Sequence, residues 1–150
     1  MAKLRKRYGS VLTFVQRERL CWPSVTPSTS APFSNPADYK ILYNDWPYGI
    51  DKDITHLVVW TKFEIEDDAT TGFLTARSRK MLDDFVVSTF CGQADMRRQD
   101  VTWFKNWKSL KSVHALEHFH VMLYRAPSTF LERITDCDRP MSELVAEGQA

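Results

Sequence analysis

Two histidines stand two residues apart in the segment HALEHFH. On a β-strand that spacing turns His118 and His120 to one face, with Met122 and Tyr124 beyond them, while Phe119, Val121 and Leu123 face the core. The chain has four histidines, and the other two, His56 and His114, fall on or next to expected strands. Paired strand imidazoles suit three kinds of work. They can ligate zinc or non-haem iron together with Glu117 or His56, although no HExxH helix motif is present to support this. They can act as a nucleophile in nucleotidyl or phosphoryl transfer. However, Met122 stands where an alternating triad would need a third histidine, and no Gly-rich phosphate loop occurs. They can also hydrogen-bond within the fold, or line a pocket without metal.

Other routes to catalysis find less support. No GxSxG elbow exists, and the serines gather between residues 24 and 34. Cys21, Cys91 and Cys137 lie far apart with no CxxC pair, which reads as free thiols in a reducing compartment. Asp45, Asp51 and Asp53, near Tyr48, suit turns and caps better than acid–base work. A stronger signal is the interleaving of aromatic and basic residues in Trp103-Phe104-Lys105-Asn106-Trp107-Lys108. Trp103, Lys105 and Trp107 alternate onto one face of a strand, as do Trp60 and Lys62 on an earlier one. If the two strands are neighbours, indoles, ammonium groups and imidazoles share one face, an apolar pocket with a few hydrogen-bond donors. The plain alternative is a sheet face packed under a helix with lysine tips reaching solvent.

These residues need elements to hold them. The spacing of Tyr8, Val11, Leu12 and Val15 predicts a helix over 8–20, stopped by Pro23. Residues 23–37 carry four prolines and read as a loop. Asp38 to Ile50 reads as an aromatic, turn-rich stretch. Thr55 to Ile65 is the clearest strand, with Leu57, Val59, Phe63 and Ile65 on one side and His56, Val58, Trp60, Lys62 and Glu64 on the other. Thr75 is expected to cap a helix to Phe90 with Met81, Leu82, Phe85, Val86 and Phe90 buried. Further strands are expected over Val101–Trp107 and His118–Tyr124. A short helix is expected from Ser109 through Leu116, and a last one from Pro127-Ser128 through Ile134. The tail from Arg139 reads as frayed. The fold class is α+β: a small mixed or antiparallel sheet with helices mainly on one face, in a single domain over 1–150. Within it, 1–37 form an N-terminal helix and Pro/Ser-rich segment, 38–135 the core, and 136–150 a tail.

Composition narrows the function classes. With 150 residues, 43% of them hydrophobic, the chain can enclose one core. A net charge of +1 disfavours a broad nucleic-acid-binding face, and RNA stacking with it. No apolar run approaches the ~20 residues of a membrane span. The basic start, Met1 to Leu20, lacks a signal-peptide core; an organelle transit peptide is a lesser reading than an amphipathic helix. The expected location is the cytoplasm. The aromatic share, 13%, is high.

The motifs NDWPYG, HLVVWTK, TGFLT, WFKNW, SLKSV and EHFHVML, spread over about residues 38–135, resemble the fungal N-acetylglucosamine-induced protein 1-like family, a domain family of largely unknown function. The resemblance implies a fungal, soluble, intracellular protein and carries no agreed catalytic residue. In size and character the chain is also similar to a family-like, norbornene-forming Diels–Alderase of the sordaricin pathway. That likeness implies a cofactor-free pericyclase performing an intramolecular cycloaddition on an oxidised terpenoid in secondary metabolism, with a hydrophobic small-molecule substrate. His118, His120 and Lys105 would then be the hydrogen-bond donors, and Trp60, Lys62, Trp103, Trp107, Tyr124 and His56 would shape the pocket. The alternatives are a small-ligand-binding or regulatory protein of amino-sugar response, and a histidine-based metal-dependent enzyme. Oligomeric state is not legible.

Overall fold

In the computed structural model, residues 14–45, 51–92, 95–106, 116–140 and 143 are described. The expectations for residues 8–13, for Trp46 and Tyr48, for Trp107 and for the Ser109 helix with His114 lie outside them. Four strands form the sheet: β1 Tyr39–Tyr43, β2 Ile54–Thr61, β3 Val101–Phe104 and β4 Glu117–Tyr124. They lie in the order β1-β2-β4-β3, and every pairing is antiparallel. Two helices, α1 Ala76–Phe90 and α2 Ser128–Thr135, complete an α+β domain.

Alternation along the strands sorts the sheet into two faces. Ile41, Leu57, Val59, Phe119, Val121, Leu123 and Val101 form one core with Leu82, Phe85, Val86 and Phe90 of α1 and Phe130 and Leu131 of α2. α1 begins as expected: the Thr75 side chain accepts from Ser78 N at 3.0 Å, satisfying an otherwise orphaned donor. Its buried stripe is the expected one except for Met81, which is only partly covered.

The second face carries Leu42, Val58, Trp60, His56, His118 and His120, and the N-terminal segment packs on part of it. Phe14, Val15, Leu20 and Trp22 cluster with Leu42 and Leu116, and Trp60 lies against them. The part of the expected first helix that is described is a π-helical turn, Val15–Leu20, ending at Cys21 in the left-handed region. The Pro/Ser loop is anchored rather than loose. Phe33, at φ 63, stacks on Phe85 with ring centroids 4.1 Å apart, so aromatic contact offsets an uncommon backbone conformation. Asp38 accepts from Ser28 N at 2.8 Å, and this bond holds its carboxyl below the usual range.

Two expectations change. The stretch after Asp38 is not all turn: YKILY is an edge strand, too short for its alternation to stand out. β2 ends at Thr61, and Phe63 and Ile65 enter the core from beyond it. Just before Arg139, Asp138 takes both ends of the Arg19 guanidinium at 2.6 and 2.9 Å and the Tyr43 N–H at 3.0 Å.

Arg19, 8% exposed, also meets Asp45 at 2.8 Å, so one guanidinium joins the N-terminal segment, the end of β1 and the chain after α2. Burial acts to lower its pKa, but the two carboxylates outweigh burial and raise it. Removing the cation strands two largely buried carboxylates. Arg19→Met is expected to lower unfolding free energy by about 3 kcal/mol, read from urea denaturation; a loss under about 0.5 kcal/mol would show that the cluster does not hold these segments.

Candidate functional site

β2 and β4 pair so that His56 lies opposite Met122, Val58 opposite His120, and Trp60 opposite His118. On the other side of β4, Phe104 of β3 lies opposite His120. Register alone therefore gathers three imidazoles, one indole and one phenyl ring on the face opposite the helices. His120 sits at the centre. Its ring stacks on Phe104 with centroids 4.8 Å apart and planes 14° from parallel, and lies 5.0 Å from His56 and 5.4 Å from His118. His118, buried, stacks obliquely on Trp60 at 4.6 Å, with Nδ1 3.1 Å from Leu116 O.

A hydrogen-bonded series runs across the face. Asn44 Nδ2 is 3.2 Å from His56 Nδ1, and His56 Nε2 is 2.9 Å from His120 Nδ1. His120 Nε2 is buried with no hydrogen-bond partner among the described residues. Burial, and then the neighbouring His118 and His56, push the His120 pKa down to about 3, and burial lowers that of His56. Both rings are neutral at physiological pH. The cluster can offer neutral N–H donors and aromatic walls, with little capacity to act as an acid near neutrality.

The structure brings together His56, Trp60, His118 and His120, and not the rest of the expected set. Trp103 pairs with Val121 on the helix face, and its Nε1 donates to Asp83 of α1 at 3.1 Å. The indoles of Trp60 and Trp103 thus lie on opposite sides of the sheet: the condition for a shared face, that β2 and β3 be neighbours, is not met, because β4 lies between them and its register turns Trp103 to the helix side. Lys105 is also elsewhere. Its side chain is 2% exposed, and its ammonium lies 3.1 Å from Glu117 Oε1 and 3.9 Å from Asp67. It borders a separate cavity of about 240 Å³ with Trp103, Arg79 and Phe73. Lys62 places Nζ 5.2 Å from the Trp22 ring centre, a cation–π contact with the N-terminal segment. Tyr124, 43% exposed, shares the histidine face but stands at its rim beside Ile54 and carries Arg125 over its ring at 5.2 Å. Trp107 lies outside the described residues.

Metal ligation by the set weighed above does not fit this geometry. Glu117 points to the opposite side of β4 from His118 and His120, and its other oxygen accepts from Ile65 N at 3.1 Å. The facing nitrogens of His56 and His120 are hydrogen-bonded to one another rather than splayed around an ion, which would need each about 2.0–2.1 Å from a common centre. Among the described residues no three potential ligands converge.

Asn44 and Phe104 were not expected in the site. Asn44 follows β1, and its N–H donates to His56 O at 2.9 Å. Its place beside His56 becomes readable only once YKILY is recognised as a strand. Phe104 lies in the interleaved motif, but on the alternate parity to the residues singled out there.

Residues 1–124 match the family described as protein of unknown function (DUF3605). The chain belongs to this family. N-acetylglucosamine-induced protein 1 of Candida albicans is 32% identical over 104 residues, 68% of this chain and 41% of that protein. The uncharacterized protein YPL067C of Saccharomyces cerevisiae is 25% identical over 111 residues, 71% of this chain and 56% of that protein. The chain spans about half the length of the curated relatives it matches. The crystal structure of HTC1 has a TM-score of 0.64 at 22% identity, covering 98% of this chain and 82% of that one, a likeness of fold. Among the described residues no helix is long and apolar enough to cross a membrane.

The buried neutral imidazoles set a pH dependence. The unfolded chain protonates His120 near its ordinary value of 6.5, whereas the folded chain resists protonation to about 3. The unfolded state therefore binds more protons in that interval, and stability falls as pH drops through it. Unfolding free energy is expected to be level above about pH 6.5 and to decline toward about pH 5, and His120→Phe is expected to flatten the decline. Equal slopes for the two proteins in denaturant titrations would contradict the burial of a neutral ring.

Proposed function

We propose that the chain is a cofactor-free pericyclase, forming a norbornene by intramolecular Diels–Alder cycloaddition of an oxidised terpenoid in fungal secondary metabolism, and acting in the cytoplasm. The observation that carries this reading is the buried Nε2 of His120, without a hydrogen-bond partner among the described residues, beside Phe104, Val58, His56 and His118. Such a site has an unspent polar contact within largely apolar walls. A cycloaddition passes no proton and no electron to the protein. It needs the diene and dienophile held in reactive contact, which contributes several kcal/mol, and it gains about 1–3 kcal/mol from a hydrogen bond to a carbonyl conjugated with the dienophile.

The roles follow from the faces. His120 is the donor candidate; the N–H of His118, at Nδ1, donates to Leu116 O, and its ring joins the walls. Trp60, His56 and Phe104 form walls, Tyr124 stands at the rim, and Phe14 and Trp22 of the N-terminal segment shield the side next to Trp60. Lys105, Trp103 and Lys62 play no part in this reading, since their polar groups are engaged elsewhere.

A second reading, a small-ligand-binding or regulatory protein of amino-sugar response, is favoured by the relationship to the Candida protein whose name records induction by N-acetylglucosamine. Titration calorimetry with amino sugars and their phosphates separates it from the first; saturable heat there, with no turnover of diene, would favour it. For the pericyclase reading, purified protein incubated with the uncyclised diene aldehyde is expected to form cycloadduct faster than buffer, with His120→Ala reducing the rate by about 10²-fold and His118→Ala by less. A rate equal to that in buffer would remove the proposal.

A further inference from the structure

The histidine face holds an ordered choice of tautomers. An amide nitrogen only donates, so His56 Nδ1, 3.2 Å from Asn44 Nδ2, is the acceptor in that contact. A neutral imidazole with one bare nitrogen carries its hydrogen on the other. His56 Nε2–H therefore donates to His120 Nδ1 across 2.9 Å. The same rule applies once more: His120 Nδ1 accepts, and its hydrogen sits on Nε2, the buried atom with no acceptor among the described residues. Burial keeps both rings neutral, so the series is not short-circuited by a doubly protonated ring.

We propose that Asn44 and His56 are positioning residues that fix His120 as its Nε2–H tautomer, and that the ligand group recognised at this atom is a neutral carbonyl oxygen. The class of ligand rests on the pericyclase reading; the tautomer is a property of the free protein. A carbonyl oxygen supplies the missing acceptor at little desolvation cost. A carboxylate facing a neutral donor among apolar walls would lose far more hydration than one hydrogen bond returns, and an ammonium group would present a donor to a donor. Phe104, stacked on His120, restricts the ring from turning and so keeps Nε2 aimed the same way.

Long-range proton–nitrogen correlation spectra of the histidine rings, recorded on the labelled full chain at neutral pH, test the tautomer directly. Both His56 and His120 are expected to show a protonated Nε2 and a bare Nδ1. Asn44→Leu removes the donor and is expected to turn both rings into tautomer mixtures while leaving His118 unchanged. If that variant fails to fold, His56→Phe, which removes the donor to His120 and keeps a ring on β2, is expected to have the same effect on His120. A wild-type His120 protonated on Nδ1, or one whose Nε2 signal ignores the substitution, overturns the proposal. For the ligand, the norbornene aldehyde product is expected to bind about tenfold tighter than its analogue with methyl in place of the aldehyde and to shift the His120 Nε2–H resonance. Equal affinity for the two, or none for either, overturns the carbonyl assignment. Absence of turnover in the diene assay bears on the pericyclase reading and leaves the tautomer result standing.

Discussion

The antiparallel pairing of β2 with β4 is the constraint on which the rest of the molecule depends. Eight residues of each strand are in register, from Ile54 opposite Tyr124 to Thr61 opposite Glu117. Because side chains alternate, that register decides at once what is core and what is chemistry. Leu57, Val59, Phe119, Val121 and Leu123 go to the helices; His56, Trp60, His118 and His120 go to the other face. A shift of one residue would bury the imidazoles under α1 and expose the phenyl and leucine side chains. The apolar set thus holds the polar set in place, and the histidine face is a by-product of core packing as much as of any local preference.

Two kinds of polar burial then behave differently. Around Arg19 the charges are paired and retained, with Asp138 and Asp45 closing the N-terminal segment onto the sheet. Around His120 charge is refused. With no carboxylate of Glu117 on that face, nothing among the described neighbours stabilises an imidazolium, and the two other histidines oppose it. A neutral imidazole N–H among aromatic and apolar walls is suited to polarising an uncharged oxygen and poorly suited to acid–base or metal chemistry. This is why the pericyclase reading survives the loss of Lys105 from the expected site.

Much of this was readable from residue order. The alternation in THLVVWT and EHFHVMLY gave both central strands and the face of every histidine they carry, and the Thr75 cap with its apolar stripe gave α1. The separation of the tryptophans was not readable. Trp60 and Trp103 each sit on a strand with basic neighbours, but whether two strands present a residue to the same side depends on which strand lies between them and in what register. Spacing within either strand carries no such information. Lys105 looked like a donor because a lysine beside indoles resembles a pocket; its real partners, Glu117 and Asp67, are distant in sequence. Asn44 was hidden for a similar reason, since a five-residue edge strand with Trp46 and Tyr48 just beyond it reads as a turn.

The central claim is that the working surface of this protein is the face bearing His56, Trp60, Phe104, His118 and His120. Backbone amide and histidine-ring spectra recorded while the norbornene aldehyde product is titrated into the full chain test it most directly. The account predicts saturable shifts concentrated on those five residues and on Asn44, with the α1 side of the sheet unmoved. Shifts centred instead on Trp103, Asp83 and Arg79, with the imidazoles silent, would contradict it.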